Sequence, residues 1–170
     1  EPSAGTDLQS IRLVAKSVQG GYRLNGSKTW ITNGIHGSCF AILAKTNPDA
    51  TPKHKGMSLF VCEKGDGFQH GKKLKKLGYK SIDSAELVFQ DHFVESERLI
   101  GAAEGHGFQH AVGGLALGRI NVAARGLGLA EAALSDAVAY ARERHTFGKP
   151  IGQHQAIQLK LADMATRVEA

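Results

Sequence analysis

The sequence predicts an α+β chain in which a β-rich first half gives way to a helical second half. Three observations carry this prediction. About seven short apolar runs recur at near-regular spacing before residue 90, separated by Gly, Pro and Asn, as in a barrel or sandwich. Near residue 100 the composition changes: prolines are absent from Gly107 until Pro150, while Ala, Leu, Arg and Glu dominate. The stretch Lys28-Thr29-Trp30-Ile31-Thr32-Asn33-Gly34 holds the only Trp in the chain, within a strand bounded by turn formers. Domain one therefore spans residues 1–100 and the helical domain 101–170.

In chain order, Ile11 to Val18 alternates apolar with polar, and Gly20-Gly21 turns it into Tyr22 to Leu24. Asn25-Gly26 lies between two β-rich runs and predicts a hairpin turn into the Trp30 strand. Trp30 and Thr32 stand two apart, so an unbroken strand presents both on one face. A planar apolar group beside a hydroxyl suits an aromatic ligand with polar edges; plain core packing is the competing explanation. Asn33-Gly34 closes the strand. Buried strands follow at Ser38 to Lys45, Met57 to Cys62, Phe68 onward and Ala85 to Phe89. The loop Asn47 to Lys55 is dense in turn formers. Beyond the boundary, Leu127, Ala130, Leu134, Val138 and Ala141 recur at helical steps within Asn121 to Arg144. Gly113, Gly114, Gly118, Gly126 and Gly128 each weaken such a helix by up to ~1 kcal/mol, so close packing must hold it. Phe147-Gly148-Lys149-Pro150 breaks the pattern, and Gln155 to Val168 starts a second helix. With no initiating Met and no cap at Glu169-Ala170, the sequence is expected to be a piece of a longer chain.

Composition excludes several classes. With 42% hydrophobic and 22% charged residues, this is ordinary globular composition, and no run of eighteen apolar residues predicts a membrane span. The net charge of +5 draws on Lys72-Lys73-Leu74-Lys75-Lys76-Leu77-Gly78-Tyr79-Lys80, but no nucleic-acid motif accompanies it. A solvated basic face, or a positive potential that steers an anionic small molecule, accounts for it. Cys39 and Cys62 lack CxxC spacing and are expected as reduced core thiols, one disulfide between them being the alternative. Gly126-Leu127-Gly128 falls inside a helix with no preceding strand, so it is no dinucleotide fingerprint. His106 and His110 lack the Glu of a zinc-protease motif, and no metal site is expected.

Four segments resemble the acyl-CoA dehydrogenase family, FAD enzymes that introduce a double bond α,β to a thioester. Glu1-Pro2-Ser3-Ala4-Gly5-Thr6-Asp7 resembles its T-E-P-x-A-G-S-D segment without the first Thr, and Lys28 to Gly34 resembles its K-x-W-I-T-N-G strand. Arg142 to Ile151 resembles E-R-x-x-F-G-x-x-I, and His154-Gln155-Ala156-Ile157 resembles H-Q-A-I. All four occur in the family's order across essentially the whole chain. The resemblance implies a middle antiparallel β-barrel domain followed by the first helices of an up-down bundle. It also implies that Gly5 and Thr6 approach flavin and acyl-CoA, and that Trp30, Ile31 and Thr32 line the isoalloxazine, with Thr32 near N5. Arg144, Thr146, Phe147 and Gln155 would reach the FAD of a neighbouring subunit in a dimer or tetramer. Arg119 would lie near the thioester, and His54 would contact CoA. In some branches the catalytic base directly precedes the Arg119 position; here that residue is Gly118, so the base is expected outside these residues. Competing structural roles are a helix C-terminal cation for Arg144, an ion-pair partner for Arg119 and a strand former for Thr32. The resemblance further implies electron-transferring flavoprotein as acceptor, and a cytoplasmic enzyme if bacterial or a mitochondrial-matrix one if eukaryotic. An acyl-CoA oxidase-like flavoenzyme and a non-catalytic scaffold relative are the alternatives.

Overall fold

The computed structural model describes residues 1–170, which divide into two compact units, Glu1–Gly114 and Leu115–Ala170. The first unit holds six strands: β1 (Val14–Val18), β2 (Gly21–Thr32), β3 (Cys39–Lys45), β4 (Met57–Glu63), β5 (Phe68–Lys73) and β6 (Ser84–Glu95). They form one sheet in the order β4-β3-β1-β2-β6-β5. All junctions are antiparallel except β1–β3, which is parallel through the single pair Val14↔Lys45. The hydrogen-bonded order thus runs from β4 to β5 without closing, and the expected barrel closure is not among the strand pairs. The sheet nevertheless curls over its own core. Phe40 of β3 stacks on Phe68 of β5 with ring centroids 5.4 Å apart, although the two strands are not neighbours. Leu13, Leu24, Phe60, Leu87 and Phe89 fill the space between. The β4 edge does not lie bare, because Phe60 bridges Leu99 and the Ile100 amide donates to the Leu59 carbonyl at 2.8 Å.

Two of the expected seven strands are one. Tyr22 to Leu24 and the Trp30 run belong to the single twelve-residue β2, and Asn25-Gly26 makes no hairpin turn but runs past a bulge in β6, where Gln90 and Asp91 together stand opposite Asn25. Gly26 has φ +138, and a Cβ there would lie 2.8 Å from the Leu13 Cα. Asn25 is used sideways: its amide nitrogen donates to Asp91 Oδ1 at 2.8 Å while its oxygen accepts the Asp91 amide at 2.9 Å. The bulged residue is Asp91 of β6, at φ 50, and its two hydrogen bonds with Asn25 keep the Asn-Gly pair in the strand where the same pair could equally have made a turn. Both cysteines are free; Cys62 is in the core, its thiol pushed up to about 12 by burial, whereas Cys39 is exposed, contrary to the expected core position.

The long helix α1 (Gly107–Glu143) is one uninterrupted run of 37 residues, starting well before Asn121. Its glycines do not break it: a helical Gly costs only ~1 kcal/mol, less than a second helix start would. The first turns belong to the β unit, where Phe108 and Ala111 pack against Ala4, Ile11, Leu43 and Met57. In the second unit, the predicted break is a small hairpin, β7 (His145–Thr146) and β8 (Lys149–Pro150). Phe147 (φ 52) and Gly148 (φ 75) occupy its turn, and two positive φ values are the mark of a type I′ turn. Then α2 (Gln155–Glu169) begins after His154, as the sequence predicts.

Candidate functional site

Within the first unit, the expected ligand-facing residues gather on two segments. Trp30 lies at a second irregularity of β2: Lys28 pairs with Leu87 and Ile31 with Ala85, so Thr29 and Trp30 together face the single residue Glu86. Trp30 takes φ 59, unusual for a bulky side chain and costing roughly 1–3 kcal/mol. Its indole is 60% exposed. The register shift falls between Lys28 and Ile31, and Trp30 and Thr32, two apart, are both exposed with the inward-packed Ile31 between them. Ile31 packs half-buried against the core, whereas Thr32 is exposed. The N-terminal segment holds Gly5 and Thr6, both exposed, with no other group within 4 Å of where a Cβ on Gly5 would lie. His54, in a short 3₁₀ turn over Lys53–Gly56, sits with its ring 5.6 Å from Phe108.

Three residues that sequence reasoning passed over hold these segments. Lys28 is buried, and its Nζ donates to Glu1 Oε1 at 2.8 Å. The same carboxylate accepts the amides of Arg12 at 2.5 Å and Leu13 at 3.1 Å. Burial raises the Glu1 carboxyl, but the Lys28 ammonium and the two amides outweigh it and leave the pKa below its ordinary value. For Lys28 burial wins over Glu1, and its pKa falls. A signal was present: Lys28 has the same parity as the inward-facing Tyr22 and Leu24, where a lysine requires a buried partner. Beyond Trp30, the buried Asp83 grips the turn that ends β2. Its carbonyl accepts the Asn33 amide at 3.0 Å and its Oδ2 the Ile35 amide at 2.8 Å. The Ile35 amide, with His36 beside it, holds this carboxyl below the ordinary range. Asp83 Oδ1 is buried without a hydrogen-bond partner.

The second unit brings together Arg144, Thr146, Phe147 and Gln155 around the β7–β8 hairpin, with Gly118 and Arg119 earlier on α1. Thr146 Oγ1 and His154 Nε2 are 3.1 Å apart, and the Phe147 and His154 rings 6.0 Å, fixing the hairpin to the start of α2. The Arg144 carbonyl accepts the Ile151 amide at 2.7 Å. Phe147 is 95% exposed at the turn, and Arg144 and Gln155 are exposed as well. Arg119 is exposed, and Gly118 has open space around it.

Residues 1–92 match the family model for the acyl-CoA dehydrogenase middle domain, and residues 105–170 that for the acyl-CoA dehydrogenase C-terminal domain. The chain belongs to the acyl-CoA dehydrogenase family. It is 47% identical to an acyl-CoA dehydrogenase of Bacillus subtilis over 171 residues, covering 100% of this chain and 44% of that protein. The butyryl-CoA dehydrogenase structure from Megasphaera elsdenii matches with a TM-score of 0.93 at 44% identity, over 99% of this chain and 44% of the other. Two structures extend the comparison: PigA with FAD and proline (TM-score 0.93, 35% identity) and the prolyl acyl carrier protein oxidase AnaB (TM-score 0.92, 30% identity). Each match covers 99% of this chain and 44% of the neighbour. The chain spans less than half the length of the curated relatives it matches.

Acyl-CoA dehydrogenases depend on FAD, and the residues present fit such a group. A large aromatic ring left in solvent on a strained backbone position gains nothing from the protein's own core, but it offers a flat face to a planar ring system. The exposed Arg144 guanidinium is suited to phosphate oxygens, and the exposed Phe147 ring to an aromatic base.

Proposed function

We propose that this chain is the flavin-cradling part of an FAD-dependent acyl-CoA dehydrogenase, acting on the α,β carbon–carbon bond of an acyl-CoA thioester. The observation that carries the reading is Trp30: the only Trp, exposed, and held at φ 59 inside a family motif. Trp30 and Ile31 would hold one face of the isoalloxazine, with the Thr32 hydroxyl donating to its edge. Gly5 leaves room for close approach of the ring and substrate, and the Thr6 hydroxyl stands where the family has a serine. Arg144, Thr146, Phe147 and Gln155 would serve the FAD of a neighbouring subunit, so the working form would be a homo-oligomer. Arg119 would orient the thioester and His54 would contact CoA. Bound FAD supplies the acceptor for the hydride that leaves the substrate β-carbon. The α-proton needs a carboxylate poised over the α-carbon, and Gly118 has no group to take it, so that role is assigned to a residue outside 1–170. Electron-transferring flavoprotein would be the acceptor. The compartment would be the cytoplasm for a bacterial protein or the mitochondrial matrix for a eukaryotic one, and the domain division would fall near residue 100.

The test is flavin content. The whole protein that carries this chain should purify with FAD, and Trp30→Ala should weaken retention. Losing one aromatic stacking contact, worth ~0.5–1.5 kcal/mol, raises the flavin Kd up to roughly tenfold. Folded native protein that takes up no flavin would sink the reading. An oxidase on the same scaffold is favoured by the likeness to AnaB. Turnover with dioxygen as sole acceptor, as fast as with an electron-accepting dye, would select it.

A further inference from the structure

We propose that Glu1 and Lys28 are positioning residues that set the spacing between the two flavin-facing segments, Gly5–Thr6 and Trp30–Thr32; this rests on the functional reading above. The pair is almost sealed from water, with side chains 4% and 10% exposed and Nζ to Oε1 at 2.8 Å. It is the only link of its kind in the molecule, since the other ion pairs have both members well exposed. Each partner lies a few residues from a segment it would control. Glu1 closes a tight turn, its carbonyl accepting the Ala4 amide at 3.3 Å, and Ala4 is buried beside Ile11 and Met57. Residues 1–4 are therefore gripped at both ends, and the exposed Gly5 and Thr6 follow directly. Lys28 is the last strand residue paired in register before the Trp30 bulge. The carboxylate also accepts the Leu13 amide at 3.1 Å, and Leu13 is the residue against which Gly26 packs. One carboxylate thus fixes the N-terminal turn, the approach to β1 and β2 immediately ahead of Trp30.

A buried ion pair adds little net stability, because desolvating two charges offsets most of their attraction. Stability alone is then a poor reason for it, whereas its directional hydrogen bonds hold two backbones at one distance. This separates the positioning role from a merely structural one. In the whole protein, the double variant Glu1→Gln with Lys28→Met removes both charges and keeps the volume. It should keep the native thermal midpoint within a few degrees while its FAD Kd rises about tenfold and kcat falls more than KM rises. Native FAD affinity and native kcat in that variant would overturn the proposal. Glu1→Asp keeps both charges and shortens the reach by one methylene. It should raise the FAD Kd about threefold with an unchanged midpoint, and an unchanged Kd would again overturn the proposal. Absence of flavin from the native protein would instead defeat the functional reading, and this is seen before any variant is compared.

Discussion

Trp30 concentrates the tension of this chain into one residue. A β-branched or aromatic side chain normally adds to a strand by packing, yet this one sits at positive φ and faces water. Its neighbours absorb the strain: Lys28 is pinned on one side and the Asn33–Ile35 turn is held by Asp83 on the other. The carboxylates in this arrangement make stability pH-dependent, and the sign follows from their lowered values. A carboxyl whose folded pKa is depressed contributes stability that is fully present above its unfolded value, ~4. That contribution is lost as pH falls through the folded value. Both Glu1 and Asp83 are of this kind. Acid should therefore destabilise the β unit below about pH 4. In Asp83→Asn, the difference between denaturation midpoints measured at about pH 6 and about pH 3 should narrow. An acid limb identical to the native one would show that Asp83 is not a linked group.

At the scale of elements, β2 determines where everything else in the first unit stands. Its twelve residues pair with β1 on one side and β6 on the other, and its register against β6 shifts twice, at Asn25 and at Thr29–Trp30. The missing side chain of Gly26 lets Leu13 approach the backbone, and the bulge at Thr29–Trp30 turns Trp30 outward. Gly26→Ala should place a methyl against the Leu13 Cα and force an L residue to φ +138. A loss above ~1 kcal/mol is expected from the backbone strain alone, read as a lower denaturant midpoint with unchanged slope. A neutral result would mean that β1 moves away freely. The β7–β8 hairpin is the parallel case in the second unit, with Phe147 carried at positive φ and left in solvent.

At the scale of the whole molecule, the helical unit carries apolar side chains that it does not cover. Leu117 and Ile120 are each 67% exposed and Leu129 65%, with Val122 and Leu159 also in solvent. The β unit has a closed core, with Leu13, Leu24, Phe60 and Leu87 fully buried. As an isolated chain of 170 residues, the protein should then hold a stable sheet and a frayed helical unit, and should self-associate as concentration rises. Hydrogen exchange compared between residues 14–95 and 115–169 tests this. Equal, strong protection in both units of a monomeric sample would show that the helices need no further cover.

The sequence by itself determined the order of elements, from strands to helices, because hydrophobic period and turn chemistry are local properties. It determined the family too, through Glu1 to Asp7, Lys28 to Gly34, Arg142 to Ile151 and the start of α2. It also located the strand ends at Asn33 and the break at Phe147–Pro150. Only the tertiary structure decided that Asn25-Gly26 stays within a strand opposite a bulge, since the same residue pair serves a turn equally well and the choice belongs to Leu13 and Asp91. The same holds for the outward indole of Trp30, whose direction depends on register against β6. The Glu1–Lys28 pair and the Asp83 clamp join residues far apart in the chain. Such contacts leave no period to read, beyond a lysine standing on the inward side of a strand.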